Sequence, residues 1–397
     1  MSTTQPARPF LGPRPFQAGE TLYGRDYEAR ALLSMLVAER VVLLHSPSGA
    51  GKTSLIQAAL IPLLEQRGFT VLPTVRVGQE PPPGWAGNRY ARAMLLALEE
   101  GRPPDEQLPL AALEALSLSD YLARRVPAEA DQDAVLIIDQ FEELLTRDPT
   151  DHPAKRAFFR ALGDMLRAPR LWALVVMREE YVAALEPYIP YIPNRLDAHF
   201  PLNLLGVKGA LAALREPPRR LGVDFPAELA ARLVDDLRRV NVQQADGTIL
   251  QQLGPSVEPV QLQVVGLRIW ERLPAGATAI RSADLDAIGD VGRALGDYYA
   301  ERVAAVAAAT GAGERAVRGW FARELITPQG VRGQVLQGAG ASAGLANAAI
   351  TQLVDAYLVR AEPRRGATWY ELAHDRLIAP VRASNAAWFA ANLRDRK

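Results

Sequence analysis

Apolar residues fall along the chain in two patterns that alternate. Short continuous runs bounded by turn residues occur at Val41-Val42-Leu43-Leu44, Ala134-Val-Leu-Ile-Ile138 and Leu171-Trp-Ala-Leu-Val-Val-Met177. Their length and composition predict strands buried on both faces of a parallel sheet. Two further strands are predicted over residues 69–77 and 200–205. Between the strands, apolar residues recur at helical spacing: Leu32, Leu33, Leu36 and Val37 behind a possible N-cap at Asp26, then Leu55, Ile56, Ala59 and Leu60. Further helices are expected over residues 90–99 and 119–125, with a Pro- and Gly-rich loop over residues 78–87.

The pattern changes near Gly206. Residues 209–216, 226–239 and 260–273 carry apolar positions three and four apart, which predicts a small helical domain. Beyond residue 274, helices are broken by the Gly-rich stretch 338–344. Residues 349–380 then alternate helix, turn and short strand signals as a winged helix does, and a last helix surrounds Trp388. The organisation expected is an extended segment over residues 1–22, an α/β core over 23–205, a helical lid over 206–274 and a winged-helix domain over 275–397. In the extended segment, Phe10 and Phe16 should pack on something.

The chemistry enters where the first strand ends. Strand 41–44 runs into Ser46-Pro-Ser-Gly-Ala-Gly-Lys-Thr53 and then a helix, the context that a phosphate-binding loop requires. Gly49 and Gly51 let backbone N–H groups turn inward, and the helix start adds the positive end of its dipole. Lys52 reaches the β- and γ-phosphates and the Thr53 hydroxyl ligates Mg²⁺. Ser46 stands where the pattern has its first Gly. Asp139 closes strand 134–138 at the edge where open α/β sheets bind ligands, placed for a Mg²⁺. Glu142 and Glu143 follow, either to activate water or as a solvated first helical turn. Arg178, at the end of strand 171–177, points at a γ-phosphate or pairs with Glu179 or Glu180.

Composition sharpens this and excludes other classes. Only four of the 45 basic residues are lysines (Lys52, Lys155, Lys208, Lys397), so a lysine in the loop marks a need for a compact ammonium. Net charge is zero, which gives no bulk electrostatic case for nucleic acid or anionic lipid. Cysteine is absent, which excludes disulfides and thiolate metal centres. No secretory leader or apolar run of spanning length occurs, so a cytoplasmic location without membrane partners is expected. His45, His152 and His199 have no metal-ligand spacing.

The chain resembles the STAND class of signalling ATPases, and within it the bacterial novel STAND branch often found in conflict and antiviral systems. The resemblance rests on Leu11-Gly-Pro-Arg-Pro-Phe16, Tyr23-Gly-Arg-Asp-Tyr-Glu28, Pro47-Ser-Gly-Ala-Gly-Lys-Thr-Ser54 and Ile138-Asp-Gln-Phe-Glu-Glu-Leu144. It continues through Val176-Met-Arg178, Glu258-Pro-Val-Gln-Leu-Gln263 and Leu372-Ala-His-Asp-Arg-Leu377, in family order. It implies an α/β P-loop NTPase core, AAA-like with flanking helices, followed by a helical lid and a winged helix. Gly24 and Arg25 would sit at the adenine. Ser48, Gly49, Ala50, Gly51, Lys52, Thr53 and Ser54 would hold the phosphates, with Thr53 and Asp139 at the Mg²⁺. Glu142 would be the catalytic Glu and Arg178 the sensor. Pro259 would pack on adenine, and His374 would contact the ADP β-phosphate, in a motif whose usual Met is Ala373. The function implied is a slow ATP/ADP switch: a closed ADP-bound monomer that becomes a homo-oligomer after exchange. Effector and sensor parts would act in trans or be missing from this chain. Two alternatives stand beside it, a DNA-handling AAA-like ATPase and a nucleotide-binding scaffold without turnover. The first needs a basic recognition helix, for which residues 368–382 supply only Arg376 and Arg382.

Overall fold

The computed structural model describes residues 8–47, 49–77, 87–126, 133–146, 150–243, 249–287, 291–328, 330, 332–364, 367–373 and 377–392. Ser48 and His374 lie outside them. The chain divides into two compact units, Phe16–Asn203 and Leu204–Pro363 with Ala367–Lys397, the second also taking the residues up to Pro15.

The first unit begins with α1 (Asp26–Glu39) and β1 (Val41–Ser46), then a helix built from α2 (Lys52–Leu55), a π-turn over Ile56–Leu60 and α3 (Ile61–Gln66). After β2 (Thr70–Val71) come α4 (Arg89–Glu100), α5 (Leu110–Glu114) and α6 (Leu118–Arg125). Then follow β3 (Ala134–Ile138), α7 (Glu142–Thr146), α8 (His152–Leu166), β4 (Leu171–Arg178) and β5 (His199–Pro201). The five strands form one parallel sheet in the order β2-β3-β4-β1-β5. Every residue of β3 is buried, as a strand covered on both faces must be. Alternate residues Val41, Leu43, Leu136, Ile138, Ala173 and Val175 face a core shared with α4, α6 and α8.

Two strand expectations are corrected by backbone chemistry. Residues 69–77 pair only at Thr70–Val71 and by a single bridge from Val75 to Ile138. Pro73 has no N–H and interrupts the ladder between them. The strand expected over 200–205 is two: His199–Pro201 joins β1, whereas Leu205–Gly206 pairs antiparallel with Ser256–Val257 in the second unit.

The second unit contains helices Val207–Arg220, Ala227–Leu237, Pro259–Arg272 and Val291–Thr310. The helix expected over 226–239 stops at Leu237, and Arg239–Gln243 pairs antiparallel with Ile249–Leu253. Phe10 is fully buried against Gly266, where an added Cβ would come within 2.6 Å of its ring. The Leu11 N–H donates to Gln263 Oε1 at 3.0 Å, so Phe10 and Leu11 are packed on Pro259–Arg272. Further along, strands Gln334–Leu336, Ala367–Leu372 and Val359–Arg364 form a three-stranded sheet in that order. They accompany helices Glu314–Trp320, Asn347–Asp355 and Ile378–Ala391. The Gly-rich stretch contains a small hairpin, Ala341–Ser342 with Leu345–Ala346, turned at the left-handed Ala343 and Gly344. Among the described residues no helix is long and apolar enough to cross a membrane.

Candidate nucleotide site

Three neighbouring strands deliver their carboxyl ends to one edge of the sheet. β4 lies between β1, which feeds the phosphate loop, and β3, which ends before Asp139. Parallel pairing sets Ser46 opposite Arg178 and Ile138 opposite Val175. The loop, Asp139 and Arg178 therefore come together although about 130 residues separate the first from the last.

Within the loop, Gly49 (φ 82°) and Gly51 (φ 92°) are left-handed, a conformation that glycine adopts without strain and that turns successive amides to one side. Gly51 caps α2 and its carbonyl accepts the Leu55 N–H at 2.9 Å, so Lys52 opens the helix. Amides in this first turn have no intrahelical acceptor and are available to phosphate oxygens. Lys52 Nζ donates to Ser46 Oγ at 2.7 Å and to the Ser46 carbonyl at 3.4 Å. The Ser46 hydroxyl in turn donates to the Pro47 carbonyl at 2.9 Å. The departure from glycine thus gives the lysine a side-chain anchor within the loop. Burial holds the Lys52 ammonium below the usual lysine range, while the charges of Glu142 and Asp139 pull it back up.

Thr53 Oγ1 faces Asp139 Oδ2 at 3.4 Å, and Asp139 Oδ1 accepts the Gln140 N–H at 2.9 Å. A hydroxyl and a carboxylate beside a phosphate cradle are the hard oxygen donors that Mg²⁺ takes. Among the described residues no group of three or more His, Asp or Glu builds a protein cage.

Glu142 opens α7 and is 9% exposed. Burial raises its carboxyl above the usual range, offset in part by the hydrogen bond from its own amide and by Arg178 and Lys52. Arg178 Nε lies 3.5 Å from Glu142 Oε1, and Arg178 Nη1 lies 3.9 Å from Glu180 Oε1. The guanidinium therefore stands among the acids of the site, facing Glu142 more closely than Glu180.

Arg25 has a position that its sequence context did not foretell. Left-handed Gly24 (φ 79°) turns the chain into α1, and the buried guanidinium donates to the Ala50 carbonyl at 3.0 Å and the Asn203 carbonyl at 2.8 Å. Glu28 holds its other side at 2.7 Å. Arg25 thus braces the phosphate loop from within the fold. Replacing it by Met is expected to cost about 1–3 kcal/mol, because two carbonyls lose a charged donor. Calorimetry of the ligand-free protein reads this as a lower Tm. Ser54 also has a protein partner, its hydroxyl accepting the Phe16 N–H at 3.1 Å. Pro259 is the first residue of helix Pro259–Arg272 in the second unit.

Sequence reasoning missed the Arg25 brace and the Ser46–Lys52 bond, both of which depend on neighbours that no local pattern records. It also missed the left-handed Gln140 (φ 56°), which turns the chain between Asp139 and Glu142.

A Walker-type ATPase of Pyrococcus abyssi is similar over 93% of this chain and 98% of that one, at 15% identity and a TM-score of 0.47. The ORC2 protein of Aeropyrum pernix, solved as ADPNP–ADP complexes, is similar over 94% and 97%, at 18% identity and a TM-score of 0.45. A search of curated proteins returns no match. Residues 9–383 match the family described as Novel STAND NTPase 1, and with its P-loop, Asp139 and Glu142 gathered at one sheet edge, the chain belongs to that family.

Proposed function

We propose that this NTPase is an ATP/ADP switch of the signalling type, a slow ATPase whose bound nucleotide sets its assembly state. The observation that carries the reading is the convergence of Lys52, Thr53, Asp139, Glu142 and Arg178 at the carboxyl edge of β1, β3 and β4. The loop amides and Lys52 bind the phosphates, and Thr53 with Asp139 would hold a Mg²⁺. That ion supplies, when bound, neutralisation of the charge that builds on the phosphate oxygens. Glu142, once ionised, takes a proton from the attacking water, and its displacement from Arg178 frees the guanidinium to face the γ-phosphate.

The second unit supplies the lid and lock of this reading. Its helices from Val207 onward act as the lid, with Pro259 on the adenine, and the three-stranded sheet with its helices acts as a winged helix bearing His374. ADP held by all three parts favours a closed monomer. Exchange for ATP releases the winged helix and exposes a surface that assembles into a homo-oligomer, which relays the signal to effector and sensor partners. A bacterial conflict or antiviral system is the setting proposed.

The test is the nucleotide carried by the purified protein together with His374→Ala. One histidine–phosphate contact of about 1.5–3 kcal/mol shifts the closed/open ratio roughly ten- to hundred-fold. His374→Ala is therefore expected to release ADP faster and to oligomerise at lower ATP concentration, by stopped-flow fluorescence and light scattering. Unchanged ADP release and unchanged mass overturn the lock. Protein that binds neither ADP nor ATP overturns the switch.

A further inference from the structure

We propose that Lys155 is a positioning residue for Glu142, fixing the short helix that carries it; this rests on the reading of Glu142 as the residue that activates water. The chain has replaced lysine by arginine almost everywhere, keeping four lysines among 45 basic residues. Lys208 is exposed, whereas Lys155 is 2% exposed, the most deeply buried lysine among those described. An ammonium is strongly hydrated and costly to bury, so its retention in an arginine-rich chain calls for a task that a compact ammonium performs better than a planar guanidinium.

The task is visible at its tip. Lys155 Nζ donates to the Leu145 carbonyl at 3.1 Å, near the C-terminal end of α7, where the helix dipole is negative. Five residues make a helix too short to hold itself, so its placement depends on what grips it from outside. Its entrance is also unfavourable: Gln140 is left-handed, a conformation that persists for such a residue only where the surroundings impose it.

One helix grips both ends. Four residues after Lys155 on α8, the Phe159 ring meets Phe141 edge-on at 5.6 Å and is itself stacked on Tyr188 at 4.5 Å. The Phe141 N–H is tied to the Val176 carbonyl at 2.9 Å. Phe141 directly precedes Glu142 and Leu145 follows three residues later, so α8 clamps the segment on either side of the carboxylate. Loosening the Leu145 end lets α7 rotate, and Glu142 leaves its place beside Arg178 while the phosphate loop, carried by β1 and α2, stays formed.

The test uses the full chain in four forms: wild type, Lys155→Met, Lys155→Arg and Glu142→Gln. Lys155→Met is expected to lower kcat about ten- to hundred-fold, the cost of misplacing a catalytic group by roughly 1 Å. MgADP affinity by calorimetry is expected to stay unchanged. The acid limb of its pH–rate profile moves to lower pH, because a Glu142 released toward solvent loses the burial that raises its pKa. Lys155→Arg keeps the charge and is expected to restore part of the lost kcat. Glu142→Gln without turnover beside a Lys155→Met variant at wild-type kcat overturns the clamp and leaves the reading of Glu142 intact. Full turnover by Glu142→Gln overturns that reading and the clamp with it. Equal loss of ADP affinity and kcat in Lys155→Met shows a general structural role and overturns the clamp. Should Lys155→Met not fold, Phe159→Leu weakens the other grip without stranding a carbonyl, and unchanged kcat there overturns the proposal.

Discussion

Replacing Glu142 by Gln is expected to cut ATP turnover by about 10²–10⁴-fold, the range that a positioned general base supplies, while ATP and ADP still bind. Gln has the same length and retains an oxygen for the Arg178 contacts, but it cannot take a proton from water. The variant keeps the loop amides, Lys52, Thr53 and Asp139, so the loss should fall chiefly on kcat. Wild-type turnover should rise with pH through an apparent pKa above the ordinary carboxylate range, because only the ionised form accepts a proton and burial raises the Glu142 pKa. Stability moves the other way. A carboxyl whose folded pKa is raised contributes stability that is present below its unfolded pKa and lost as pH rises through the folded value. Near neutral pH the wild type therefore bears the cost of a buried, ionised Glu142 that Gln does not. The variant should melt higher than wild type at pH 7 and converge with it in acid, as differential scanning fluorimetry across pH can show. Turnover that survives the substitution would transfer the base to Glu143, the half-buried neighbour on the same helix.

Opposed effects on activity and stability at one residue fit how the site is built, and they bear on what the sequence made legible. The central strands could be read because a strand covered on both faces must be apolar throughout, and β3 is buried at every position. The phosphate loop could be read because its glycines, lysine and threonine are consecutive and each has a local reason. Sheet order could not be read this way: nothing in the runs 41–44, 134–138 and 171–177 says that the last lies between the other two. That order decides the site, since it sets Arg178 opposite Ser46 and within reach of Glu142. The sequence left Arg178 open between a phosphate sensor and a partner of Glu179 or Glu180, and the structure adds Glu142 as the nearer acid. Arg25 was read from its resemblance as an adenine residue, and its contacts to Ala50 and Asn203, made across 25 and 178 residues, are ones no local pattern records. The hairpin of Arg239–Gln243 with Ile249–Leu253 carried one usable signal, Asp246-Gly247, a turn dipeptide between runs that alternate only weakly.

The second large effect is expected at Lys52. Lys52→Met should weaken binding of both ATP and ADP by about 2–5 kcal/mol, the cost of stranding one partner of a buried charge-assisted contact, or roughly thirty- to several-thousand-fold in Kd. The loss exceeds that of an ordinary hydrogen bond because the ammonium works in a partly desolvated site among loop amides that carry only partial charge. Before ligand arrives the same lysine weighs against the fold. Its pKa is lowered by burial, and a group with a depressed folded pKa contributes stability present above its unfolded pKa and lost as pH falls through the folded value. At pH 7 the empty wild type therefore bears a charged, partly desolvated Lys52, relieved only in part by Ser46 Oγ at 2.7 Å. Stripped of nucleotide, Lys52→Met should melt no lower than stripped wild type. With millimolar ADP the order should reverse, because a ligand that binds only the folded state raises its stability by RT ln(1 + [L]/Kd), a gain the variant forfeits. Paired melting curves with and without ADP, backed by calorimetric titration, test both halves. If the variant keeps wild-type ADP affinity, the phosphates do not lie at Lys52, and the loop between β1 and α2 is not the nucleotide site.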